Sequence, residues 1–161
     1  MIAGFFESQG QKIKSVKLLF RASQNNFSAG NFHNACNGHG QTITFCENTY
    51  GKKFGGYTPL AWNSNGTYYA DSTYKSFTFS LSNGHKLVSD ASSSNHQYCN
   101  SSYGPTFGNG HDINIADACN QNFNSYCGLT TLYKNGNYTG NNAESWKLFI
   151  GSQQNYNFKV K

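Results

Sequence analysis

Charge is scarce in this 161-residue sequence: seven acidic side chains stand against twelve basic ones, and of the twelve only Arg21 is an arginine. Readers of nucleic acid lean on arginine forks. The net charge of +5 and the cluster Lys12, Lys14, Lys17 and Arg21 therefore do not make a nucleic-acid binder, and a solvated strand face accounts for them better. Long hydrophobic runs are missing too. No stretch approaches the roughly 20 apolar residues that cross a bilayer as a helix, so direct membrane insertion is not expected. "MIAGFFESQGQK" lacks the basic start and the apolar length of a secretion signal, and Ile2 excludes N-myristoylation. The expectation is a soluble, cytoplasmic protein, associated with membranes or the cytoskeleton only through partners.

Chemistry-bearing patterns are equally thin. The cysteines, Cys36, Cys46, Cys99, Cys119 and Cys127, are odd in number and contain no C-x-x-C pair, which indicates neither a disulfide framework nor a zinc site. Cys119 and Cys127 sit among polar residues and are candidates for exposed thiols. His33 and His39 lack helical ligand spacing and have no third ligand at a recognisable interval, so no metal is expected. The acids Glu7, Glu47, Asp71, Asp90, Asp112, Asp117 and Glu144 include no close pair of the glycosidase kind. "GPTFGNG" does not end in Lys-Ser/Thr and is no nucleotide loop. Sequons at Asn26, Asn65, Asn100 and Asn137 are what so much Asn, Ser and Thr produces by chance. No cofactor and no enzymatic activity are expected.

What the sequence has is aromatic rings: 13 Phe and 11 Tyr carry the apolar area, which favours strands over long helices and excludes a disordered chain. Residues 1–161 are enough for one domain. Period-two alternation dominates. In "VKLLFRAS" Val16, Leu18, Phe20 and Ala22 share a face. In "KSFTFSLS" Phe77, Phe79 and Leu81 oppose Ser76, Thr78, Ser80 and Ser82. Ile43 and Phe45, Ile113 and Ile115, Trp146, Leu148 and Ile150, and Tyr156, Phe158 and Val160 form further inner faces. Each strand is expected to have one dry and one wet side, as in antiparallel sheets packed face to face. Asn83-Gly84 marks a hairpin. One helix is marked, from about Ala29 to Cys36, with Ser28 as N-cap, Phe27 and Phe32 as a hydrophobic staple, and Asn37-Gly38 at its end. Ser89 to Pro105 reads as a polar loop.

His111-Asp112 is the most tempting pair. On a strand, neighbours point to opposite faces, so the two side chains cannot form one dyad, and a structural role for the pair is expected. Gly104, Gly108 and Gly110 with Pro105 suit a corner, and Gly55-Gly56 within a strand suggests a bulge or a close backbone approach.

The run from "KLLFRAS" through Phe54, Gly55, Gly56, Tyr57, Thr58 and Trp62 resembles the first half of a TLDc domain. "KSFTFSL" is similar to that family's next strand, and "GPTFGNGHDINIAD" to its GPTFGxGHD signature, carried by Gly104, Pro105, Thr106, Phe107, Gly108, Gly110, His111 and Asp112. "LFIGSQQNYNFKVK" is similar to its closing segment. The resemblance covers about residues 16–161. It implies a mainly β (α+β) fold, a two-sheet antiparallel β-sandwich with short peripheral helices, and no established active site. It also leads one to expect a further E-x-E-V-F-like strand after Lys161, so that the sheet edge beside "NYNFKVK" is covered by additional residues or by a neighbouring protein.

TLDc proteins are associated with oxidation resistance and with the vacuolar-type proton ATPase, which some members bind, regulate or disassemble. The implied function is a non-catalytic protein-interaction module. The alternatives are a structural subunit of a cytoskeletal or ciliary assembly, a redox effector acting through Cys119, Cys127 or His111, and a carbohydrate-binding sandwich using Trp62, Tyr68 and Tyr69.

Overall fold

In the computed structural model, which describes residues 1–89, 93–128, 133–134 and 157–161, Thr42–Glu47 (β1) and Lys53–Thr58 (β2) form an antiparallel hairpin. Asn48 turns the chain between them. Its Oδ1 accepts the N–H groups of Tyr50 and Lys52 at 3.1 and 3.0 Å, the local bond that suits Asn to turns. Asn65–Tyr69 (β3) follows, then Phe77–Ser80 (β4) and His85–Ser89 (β5), which pair around the expected turn, with Gly84 at φ 70°. Gln97–Asn100 (β6), Tyr103–Phe107 (β7), Ile113–Ala116 (β8), Ser125–Tyr126 (β9), Tyr133–Lys134 (β10) and Asn157–Phe158 (β11) complete the strands. One sheet has the order β1-β2-β4-β5-β10 and the other β11-β9-β8-β7-β6-β3, and all their pairings are antiparallel. This is the expected sandwich.

Phe54 and Leu87 of the first sheet meet Cys99, Phe107, Ile113, Ile115 and Phe158 of the second in one buried core, joined by Trp62 and Val160. The expected inner placement of Ile113, Ile115, Phe158 and Val160 is therefore found. The helix Ala29–Cys36 (α2) sits as its cap predicts, with Ser28 Oγ accepting from Asn31 N at 3.3 Å, and it adds Phe32 and Cys36 to that core.

The first sheet is layered differently from expectation. Thr78 lies directly opposite Leu87, so the polar side of β4 faces the inter-sheet core, and Thr78 and Ser80 are fully buried. Phe77 and Phe79 point the other way, to the outside of the sandwich. There they form a second core with Tyr57 and Phe6, flanked by Ile2, Phe5, Ile43 and Leu81. The cover is a short N-terminal helix, Ile2–Glu7 (α1), that alternation does not reveal. Phe6 packs edge-on against Tyr57 and Phe77, at 4.7 and 5.2 Å between ring centroids. Lys86 Nζ donates to Phe5 O at 2.6 Å and Lys75 Nζ to Gln9 O at 2.5 Å, setting cations at the carbonyl end of the helix, where its dipole favours them. Ile43 and Phe45 belong to this outer side as well, and Phe45 stays 56% exposed.

Two further expectations are corrected. "VKLLFRAS" is not a strand: residues 11–21 hold no regular structure, Val16 and Leu18 are exposed, and Ala22–Gln24 is a 3-10 turn. The consecutive Leu19 and Phe20 both pack toward the core, which a period-two strand could not do. The stretch from Ser89 to Pro105 is not all polar loop: it contains β6 and the start of β7, and His96, Gln97 and Cys99 within it are buried. The expected inner residues Trp146, Leu148, Ile150 and Tyr156 lie outside the described residues. No helix among the described residues is long and apolar enough to cross a membrane.

Candidate functional site

The family-motif residues lie on two structures that meet inside the sandwich. Gly55, Gly56, Tyr57 and Thr58 form the body of β2, and Gly56 faces the ring of Phe107: a Cβ built at Gly56 would stand 2.8 Å from it. Thr58 Oγ1 donates to Gln97 Oε1 at 2.6 Å, a buried link between the sheets. Trp62, 1% exposed, donates its indole N–H to Thr42 Oγ1 at 2.8 Å. Gly104, Pro105, Thr106 and Phe107 are β7. Gly104 backs onto the Ile115 carbonyl, and Gly108, at φ 87°, leaves room for the Asp112 carboxylate.

His111 and Asp112 part company, as expected, though through a turn rather than a strand. Asp112 is fully buried, whereas His111, at φ 66°, turns outward ahead of β8. A non-glycine residue held there is strained and needs surrounding contacts to keep it so. Those contacts are tyrosines. Tyr68, Tyr98, Thr106, Asn114 and Tyr126 form one row across the outer face of the second sheet, each opposite the next. The two small polar residues in the middle leave a dip, bridged by Asn114 Nδ2 donating to Thr106 Oγ1 at 3.1 Å. The imidazole of His111 lies over the row. Its ring centroid is 4.9 Å from that of Tyr98, 5.8 Å from Tyr103, 5.9 Å from Tyr68 and 6.0 Å from Tyr126, and its Nδ1 is 2.6 Å from Tyr126 Oη. Burial lowers the His111 pKa, which favours the neutral ring. The result is a ring platform with hydroxyls at its edges, able to stack and to exchange hydrogen bonds. Of these residues the sequence singled out Thr106, His111 and Tyr68, and Tyr68 for another reason. Tyr98, Tyr103 and Tyr126 are far apart in the chain, and no spacing joins them.

Beneath this corner is a buried polar knot. Asp71 accepts from Thr73 N and Oγ1 and from Lys75 N, Ser76 N and Ser76 Oγ, all between 2.5 and 2.9 Å. Burial pushes its pKa up, but the bonds from Thr73 and Ser76 outweigh that, and the net shift is down. His96, also buried, accepts Asp71 N on Nδ1 at 3.0 Å. Its carbonyl takes Gly108 N at 3.1 Å and Tyr133 Oη at 2.9 Å. These bonds hold the glycine corner rather than present a reactive group.

The remaining candidates are structural. His33 fastens α2 to the second sheet, its Nε2 lying 2.8 and 3.0 Å from the carbonyls of Asn100 and Tyr103; His39 is exposed on the turn after α2. Cys119 and Cys127, expected as exposed thiols, are 2% and 0% exposed because both point into the inter-sheet core. Burial pushes the Cys119 thiol up to about 11 and Cys36 likewise to about 11; Cys46, buried and beside Cys119, reaches about 12. Trp62 and Tyr69 cannot form a sugar platform, since Trp62 is buried and Tyr69 packs against the core. Among the described residues no three His, Cys, Asp or Glu side chains are grouped as metal ligands.

A search of curated proteins returns no match. A family model described as the TLDc domain matches residues 1–159, nearly the whole sandwich and both motif regions. On that match, the chain belongs to the TLDc domain family.

Proposed function

We propose that the chain is a non-catalytic protein-interaction module that binds or regulates the vacuolar-type proton ATPase or contributes to oxidative-stress resistance, and that it contacts its partner through the tyrosine row around His111. The platform is the observation that carries this reading. Tyrosine is enriched where proteins meet, because one ring buries apolar area while its hydroxyl stays satisfied. Here several such rings share one face and are locked by a strained histidine. The buried, pKa-raised thiols argue against redox chemistry through the cysteines, since the thiolate is the reactive form. The second reading, a subunit of a cytoskeletal or ciliary assembly, uses the same platform with a different partner.

Affinity capture with the wild-type chain and with Tyr98→Ala/Tyr103→Ala, followed by mass spectrometry, separates the two. Recovery of ATPase peripheral-stalk and catalytic-head subunits, lost in the double variant at unchanged melting temperature, supports the first. Recovery of filament or microtubule proteins in their place moves the assignment to the second, and recovery that ignores the substitution removes the tyrosine row from either.

A further inference from the structure

The bond between Tyr126 and His111 offers more than a surface for a partner. Tyr126, on β9, holds its hydroxyl oxygen 2.6 Å from His111 Nδ1. That is shorter than N–H···O bonds run, about 2.7–3.2 Å, and belongs to an O–H donor. The phenol therefore donates, and the imidazole receives on Nδ1 with its own hydrogen on Nε2. Burial favours this neutral ring by lowering the His111 pKa. The backbone at φ 66° and the four tyrosine rings packed about the imidazole hold the acceptor nitrogen in place.

Such a pair changes what the phenol can do. Tyrosine gives up an electron more easily than most side chains, but the radical cation left behind is a very strong acid, and forming it with no proton acceptor at hand is costly. A base already at hydrogen-bond distance removes that cost by taking the proton as the electron leaves, a role that suits histidine. The surrounding rings extend the reach of the pair. Tyr98 lies 4.9 Å from the imidazole and 5.9 Å from Tyr103, which is 36% exposed. All five cysteines are buried, so this cluster rather than a thiol faces an oxidant in solution.

We propose that Tyr126 and His111 form a redox-active pair that gives up a hydrogen atom to one-electron oxidants of the peroxyl-radical class. The bond that breaks is the Tyr126 O–H. Its electron leaves by way of the neighbouring rings and reduces the peroxyl radical to a hydroperoxide anion, which takes a proton from solvent. The phenolic proton crosses to His111 Nδ1, leaving a neutral phenoxyl radical hydrogen-bonded to an imidazolium. A small reductant such as ascorbate then returns one electron and releases its own proton to solvent, the proton on Nδ1 goes back to the phenol oxygen, and the pair is restored. No partner protein enters the step. It can therefore fail while the partner contact stands, and the partner contact can fail while it stands.

The test follows the bleaching of the ABTS radical cation by the chain in stopped flow, with N-acetyltyrosinamide as the reference phenol and freeze-quenched samples read by electron paramagnetic resonance. The chain is expected to consume one oxidant equivalent in a fast phase, at least tenfold quicker than the reference and slower in heavy water, and to show a phenoxyl signal. Tyr126→Phe should remove the phase and the signal, whereas Tyr50→Phe, on the exposed turn after β1, should leave both intact. His111→Gly suits the positive φ and empties the imidazole site. It should slow the phase at least tenfold, and added imidazole should restore it where pyrrole, a ring of the same shape without an acceptor nitrogen, does not. A fast phase that survives Tyr126→Phe or His111→Gly, equal rescue by pyrrole, or no phase quicker than the reference would overturn the inference.

Discussion

A methyl group at residue 55 has nowhere to go. A Cβ built at Gly55 runs into the Thr44 carbonyl oxygen and stands 2.8 Å from the Phe79 ring; the first obstacle is backbone of the adjacent strand and cannot swing aside. Gly56 is blocked on its opposite face by Phe107. Gly55→Ala and Gly56→Val should each cost about 1–3 kcal/mol or more, the range for overpacking a filled core, read as a fall in urea midpoint. Gly110→Val meets a different obstacle, a φ of 65° that β-branched residues resist, and should cost about 1–3 kcal/mol. Gly4→Ala, with no atom within 4 Å of the added carbon and a position inside α1 where alanine favours the helix, is the control and should not lower the midpoint.

Two helices show how differently an element can be held. α2 is specified locally, by a cap and a staple, and Ser28→Ala should cost about 1 kcal/mol. The six-residue α1 is too short to be stable by itself in water and depends on docking. Phe6, 7% exposed, is its anchor. Phe6→Ala should cost about 3–5 kcal/mol in chemical denaturation, and the variant should bind more of a hydrophobic dye because Phe77 and Phe79 lose their cover. A loss under 1 kcal/mol with no dye uptake would mean that α1 is not the lid of the outer core.

Across the whole molecule, stability should fall on both sides of neutrality. Burial lowers the pKa of His96, opposed in part by Asp71, and that of His111. The unfolded chain therefore binds protons near pH 6.5 that the folded one refuses, and stability present above that pH is lost as the solution is acidified. At alkaline pH the sign reverses. Burial raises Cys36, Cys46 and Cys119 to about 11, 12 and 11 from 9.0, and raises Tyr133 too. The folded chain keeps protons that the unfolded one releases, so the stability present below pH 9 drains away between pH 9 and about 12. Melting temperatures from pH 5 to 11 should trace a dome, with a shallower alkaline limb in Cys46→Ala. A flat profile above pH 9 would show that the thiols are not held protonated by the core.

The sequence by itself determined whatever depends on near neighbours. The α2 cap at Ser28, the Asn83-Gly84 turn, and the strand status of "TITFCE" and "INIA" all follow from local bonding and side-chain period. Tertiary structure alone decided what covers each face. Alternation says that β4 has a phenylalanine side and a hydroxyl side, but not that α1, some 70 residues earlier, would cover the rings while Thr78 and Ser80 turned inward. The same limit hid the burial of Cys119 and Cys127, the failure of "VKLLFRAS" to pair, and the meeting of Tyr68, Tyr98, Tyr103, His111 and Tyr126. The physical reason is that period and capping are properties of a segment, whereas burial belongs to the pair of surfaces that meet, and the second surface is written elsewhere in the chain.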